Sequence, residues 1–223
     1  MSKESPYTTV LSSLLPPSTP HIPLSLPVSP HKLHIPAQNI SSLQLHPVIE
    51  SALHIINLDL PSAHFLLRHM QAQPAWEAMY LHGILHRIEG DMDNTRAWYG
   101  DVKDSEVFQT VWRDDNDDSK SDADTNPDET PALDRARSFL DKVESYKDSL
   151  LSKARASKSS PSVDVDTIAS TSLSELRRFL SFCESKFGTD PVTDASSVWI
   201  SMGDKHKDQA AQMITGGEGW REF

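Results

Sequence analysis

The sequence predicts an all-α protein, and three observations carry that reading. From Val48 onward apolar residues recur at the three-and-four spacing of one helical face. Prolines stand where helices open, at Pro61 and Pro131, and glycines where they close, at Gly90 and Gly188. A self-similarity at a shift of 32 residues places one pair of helices over the next.

Residues 1–38 come first and are read as an extended or disordered arm, because "LPPSTPHIPLSLPVSPHKLHIP" carries prolines too densely for a helix or a central strand. Residues 39–223 are read as a single helical domain. Its first helix is marked by Val48, Ile49, Ala52, Leu53, Ile55 and Ile56. "LPSAHFLLRHMQA" gives a second, and "PAWEAMYLHGILHRIEG" a third that ends at Gly90. "DMDNTRAWYGDVKDSEVFQTVW" gives a fourth, with Gly100 marking a break and "DSEVFQTVW" a further short helix.

An acidic loop, 114–130, interrupts the domain as a solvated segment. After it, Pro131 opens an amphipathic helix lined by Leu133, Ala136, Phe139, Leu140, Val143, Tyr146 and Leu150. A Ser-rich linker, 157–168, leads to a helix over 170–187. A short helix or extended piece around "DASSVWISMG" and a helix over 205–213 complete the chain, with Trp220 and Phe223 expected to pack back on the domain.

In the repeat, Leu53-His54 fall over Leu85-His86, Ile56 over Ile88, Asp59 over Asp91, Leu60 over Met92 and Met70 over Val102. Residues 46–105 resemble the tetratricopeptide helical hairpin. Gly83, Gly90 and Tyr99 fall where that repeat favours a small residue, a turn residue and an aromatic, and Ala63 takes the small position of the first unit. The sequence departs from the pattern at Thr95, where the repeat has Ala, and at His82 and His86, where it buries Leu and Tyr. The resemblance implies two stacked TPR-like hairpins, here capped by the later helices because two units leave apolar ends uncovered. The segment also resembles fungal and bacterial proteins of unassigned function, which implies no activity.

Composition narrows the function. The formal net charge is −11, which argues against nucleic acid and anionic membrane surfaces as partners, since both reward Lys and Arg. Only 37% of residues are apolar, and 15 prolines outnumber 8 glycines, so the core is smaller than the length suggests. Cys183 is the single cysteine, which excludes an internal disulfide and a CxxC knuckle; it reads as a buried small hydrophobe. With neither a signal-peptide pattern nor an apolar run of membrane length, the expected location is cytoplasmic or nuclear, not secreted.

One group of residues could carry chemistry. His82, His86 and Glu89 stand at i, i+4 and i+7, within about 60° of arc on one helical face. The shift of 32 puts Glu50, His54 and Asn57 on the matching face, with His46 one turn earlier. Stacked hairpins would bring these stripes together. Imidazoles with a carboxylate form the ligand set of zinc and non-haem iron, so His46, Glu50, His54, His82, His86 and Glu89 are the candidate metal ligands and Zn or Fe the candidate cofactor. Gly83 occupies the place of the general-base Glu in HExxH, which excludes that metalloprotease motif. Arg87, Arg96, Asn57 and Tyr80 are candidate ligand-binding residues, the arginines as carboxylate clamps. Each has a structural alternative: ion pairs with Glu89, Asp91 or Asp93 for the arginines, capping or backbone bonds for the polar stripes, and core packing for Tyr80.

Two functions follow. The first is a non-catalytic, helical-repeat-like interaction protein binding a protein or small-molecule ligand. The second is a metal-dependent or acid–base enzyme using the His/Glu cluster between the hairpins.

Overall fold

The computed structural model describes residues 5–15, 33–114, 130–155 and 164–199. Among them the chain is all-α, with no strand. The acidic stretch 115–129, most of the proline-rich arm, the linker residues 156–163 and the expected terminal helix and aromatics lie outside the described residues.

The two hairpins are α3 (Pro47–Ile56) with α4 (Leu60–Arg68), and α5 (Trp76–Glu89) with α6 (Met92–Val102). The 32-residue similarity is written into their turns. Leu58 and Gly90 occupy equivalent places and both take the left-handed conformation, at φ 61° and 91°. The next residue donates back across the helix end, Asp59 N–H to His54 O and Asp91 N–H to His86 O, both at 2.9 Å. The same aspartates then cap the following helices: Asp59 accepts from the Ser62 amide and Asp91 from the Asn94 amide. The repeat is thus a repeated stop-and-start signal. The hairpins lie side by side, with α5 packed on both α3 and α4.

Gly83 explains how closely α5 and α6 approach. A Cβ there would meet the Tyr99 ring at 2.9 Å and Trp98 Cβ at 3.0 Å, so only hydrogen fits. Gly100, expected to break α6, does not: the helix runs on to the buried Val102, and the break comes at 103–105, before α7 (Glu106–Val111).

Two long helices cover this pair. α8 (Pro131–Arg155) packs on α6, burying Leu133, Ala136, Phe139, Leu140 and Val143. Leu150, expected on the same buried face, is 43% exposed because α8 outruns its partner. α9 (Val165–Phe187) begins inside the expected linker, capped by Asp164, and ends at Gly188. The later helices were expected to cap the ends of the pair. Instead α9 crosses both units, packing on α3 and α7 and reaching α5 and α6 through Glu175.

The N-terminal arm also departs from expectation. Residues Pro6–Leu14 form helix α1, with Ser5 as its cap and Pro6 in the first turn, where its missing N–H costs nothing. Tyr7 and Leu14 are buried, and the Tyr7 hydroxyl donates to Glu184 on α9. The dense prolines begin only at Pro16, so the stretch before them is free to be helical. A short α2 (Ala37–Ser41) leads into α3. Past α9, the Val192 amide donates to Gln44 O at 2.7 Å, and a single 3₁₀ turn, Ser196–Val198, brings Trp199 edge-on to His69.

Candidate functional site

The third helix places its histidines as the spacing predicts. On α5, His82 and His86 lie one turn apart with their rings stacked, centroids 4.9 Å apart and nearly parallel. Trp98 from α6 stacks on His82, at 4.8 Å. From α4, His64 meets both imidazoles edge-on, at 5.0 and 5.6 Å. The ligand nitrogens of His64, His82 and His86 all lie within 4.8 Å of one another. Glu89 adds a carboxylate, 3.1 Å from His86 Nδ1 and 4.0 Å from His64 Nδ1.

His82 is the buried member, 3% exposed, and neither of its ring nitrogens has a hydrogen-bond partner. Burial lowers its pKa to about 3, with His86, His64 and Arg68 acting in the same direction. Burial likewise lowers the pKa of His64, followed by the effect of Arg68. At neutral pH His82 is therefore an uncharged imidazole.

The other half of the expected constellation goes elsewhere. His54 sits between Asp59, 3.0 Å away, and Glu50, 3.7 Å away, inside its own hairpin. His46 caps α3, accepting from the Val48 amide, and stacks on Phe187 of α9 at 3.8 Å. Asn57 makes a pair of bonds with Ile35, accepting from its N–H at 2.9 Å and donating to its carbonyl at 3.0 Å. The seven groups are divided because those of α3 find partners in the arm, on α9 and within their own hairpin rather than at the His82 and His86 stripe. His64 lies on α4, outside the stripes of α3 and α5, so helical periodicity does not point to it.

Two of the candidate ligand-binding residues are sealed in the core. Arg87 is fully buried; it pairs with Glu175 and donates to Ser172 Oγ at 3.1 Å, with its guanidinium 4.8 Å from the Phe139 ring centroid. The hydroxyls of Tyr80 and Tyr99 both donate to Glu175 Oε1. Burial raises both tyrosines well above their usual range, and Glu175 adds to the effect. For Arg87, burial favours the neutral form, but Glu175 together with Tyr99 and Tyr80 outweighs it and the guanidinium is held charged. The partners expected for Arg87, Glu89, Asp91 or Asp93, lie nearby in sequence, whereas Glu175 is 88 residues away. Arg96 is a surface residue, bonded to Asp141 and Glu144 of α8. Cys183 is fully buried, and burial pushes its thiol up, as for an inert core residue.

A second feature was not visible in the sequence. Between α7, α8 and α9 lies a cleft of about 640 Å³, floored by Trp112, Phe139 and Ile168. A neighbouring hollow of about 620 Å³ shares Arg113 and Arg178 with it, so the two form a groove along α9. Arg113, Arg135, Lys142 and Arg178 line the cleft. Arg178 donates to the carbonyls of Val111 and Arg113, and Arg135 to that of Trp112, which holds both guanidiniums against the end of α7.

Compared with known proteins, the chain matches no family model, no curated protein and no solved structure. Among the described residues no helix is long and apolar enough to cross a membrane.

Proposed function

We propose that this protein is a non-catalytic helical binding module that takes an acidic peptide segment into the groove along α9. The observation that carries this reading is the charge of that groove. In a chain of net charge −11, the cleft collects Arg113, Arg135, Lys142 and Arg178 on one wall system. Of the two acidic residues lining the same cleft, Glu175 is already paired with Arg87 inside the core, leaving Asp134; the adjoining hollow adds Glu106, and its Lys186 is paired with Glu77.

Below the charges, Trp112, Phe139 and Ile168 are buried and give an apolar floor. An apolar floor with a polar rim suits an extended peptide, whose backbone and alternate side chains can use both. The resemblance of residues 46–105 to tetratricopeptide hairpins supports a binding module in general, although the groove itself lies on the later helices.

Charge complementarity of this kind acts chiefly through the association rate and weakens with salt. A labelled glutamate-rich peptide should therefore show a rise in fluorescence anisotropy with the full chain at low ionic strength. Arg113→Glu with Lys142→Glu, both at exposed positions, should weaken binding by about tenfold or more while the helical circular dichroism is unchanged. Equal affinity in the reversed variant, or no binding at low salt, would show that the groove is not the recognition surface. Binding of inorganic phosphate with the same variant dependence, but not of the peptide, would replace the peptide with a small anion.

A further inference from the structure

We propose that His64, His82 and His86 form a site for one divalent transition-metal ion of the zinc type, with the Glu89 carboxylate as fourth ligand. The site is distinct from the groove along α9 and stands or falls independently of it.

Among the described residues, several histidines have a polar partner close by. His46 accepts from the Val48 amide, His54 faces Asp59 at 3.0 Å, and His69 bonds the Phe65 carbonyl at 2.8 Å. Each of these imidazoles has a polar partner that explains it. His82 does not: it is 97% buried, and both nitrogens are without a hydrogen-bond partner. Buried polar groups are almost always bonded, because leaving one unmet forfeits its hydration with nothing in return. Here the ligand nitrogens within 4.8 Å belong to two further imidazoles, which offer lone pairs as readily as protons. A cation meets all three at once.

The donor chemistry suits zinc. Three imidazoles and a carboxylate form a four-coordinate N/O set, with Zn–N bonds of about 2.0–2.1 Å. Tetrahedral ligands at that bond length stand roughly 3.3 Å apart, whereas these nitrogens span up to 4.8 Å. The ion must therefore draw them in by roughly 1.5 Å. His82 is wedged between Trp98 and His86 and cannot move far. His64 and Glu89 are partly exposed and can turn toward it, and His86 can follow by a small rotation. Arg68 opposes a cation here, and Glu89 offsets it in part.

A site closed by four protein ligands is structural in character, since no position is left for a substrate. Its ligands come from α4 and α5, one from each hairpin at the least. The ion would therefore clamp the first hairpin to the second, holding two repeat units where three are usually needed for stability.

The test uses the full chain, purified without an affinity tag, stripped with a chelator and titrated with Zn²⁺ by calorimetry. One equivalent should bind and raise the melting temperature, and Co²⁺ in its place should give the intense visible absorption of four-coordinate cobalt. His82→Leu should abolish this uptake. Because a buried substitution can also disturb the fold, His64→Gln and His86→Gln carry the decision; each should weaken Zn²⁺ affinity by at least the roughly 10- to 100-fold seen when even outer-shell partners are lost. If the wild type takes up no zinc, or if both glutamine variants keep its affinity, the site is not formed by these histidines.

Discussion

Arg87 and Glu175 set the terms at the scale of single residues. A charge that is fully buried must be matched, and here one carboxylate answers a guanidinium and two phenols together. Removing one member leaves the other charged and unmet in the core. Glu175→Leu is expected to cost about 3–5 kcal/mol in denaturant unfolding, the range for breaking a buried pair. Adding Arg87→Met to it should recover much of that loss, because an apolar pair of similar volume needs no matching. Additive losses in the double-mutant cycle would mean that the two side chains act independently. The repeat shows the same logic in a different form. His86 is the counterpart of His54, but the position of Glu50 is taken by His82, so an acid beside the histidine in the first unit becomes a second imidazole in the next. One substitution at an equivalent position separates a histidine set between two carboxylates from a cluster of imidazoles.

Helix ends and helix contacts decide matters at the scale of elements. Gly90 and Leu58 perform one task, reversing the chain in the left-handed region so that the next aspartate can cap. Placing a Cβ in that region costs roughly 1–2 kcal/mol. Gly90→Ala should therefore lower stability by about 1 kcal/mol, whereas Leu58 tolerates the conformation because its side chain is 8% exposed and packs in the core. Gly83 presents two opposed effects. Alanine in mid-helix gains up to about 1 kcal/mol in propensity, yet its methyl would press at 2.9 Å on a Tyr99 ring held by Glu175. Overpacking of that kind costs typically 1–3 kcal/mol, so Gly83→Ala should lower the urea midpoint. A raised midpoint would mean that α6 shifts away from α5 without resistance.

The whole molecule is held by segments that return to distant partners. α9 lies across both hairpins, α1 docks onto α9 through Tyr7 and Glu184, and the chain beyond α9 comes back to Gln44 and His69. Stability is therefore expected to depend on the N-terminal helix even though it precedes a proline-rich stretch. Leu14 is fully buried, so Leu14→Ala should cost about 2–5 kcal/mol in thermal or denaturant unfolding. Amides of α1 should exchange slowly in hydrogen-exchange measurements, at rates approaching those of α3. Fast exchange in α1 with an unchanged midpoint for the Leu14 variant would detach this helix from the core.

By itself the sequence determined what is local. Helical spacing, proline openings, glycine stops and the aspartate caps all act within a few residues, so α3 to α8 and the 32-residue repeat could be read from it, as could the stacked pair His82 and His86 on one face of α5. The helix at Pro6–Leu14 was hidden only because the arm was judged by the prolines that follow it. Tertiary structure decided everything that depends on which faces meet. It gave the polar groups of α3 other partners and brought His64 from α4 into the cluster. It also gave Arg87 a partner on α9 and gathered four cations around one cleft in an acidic chain. Periodicity fixes the angle of a side chain about its own helix axis; it carries no information on the rotation of one helix against another, which packing of the whole core settles.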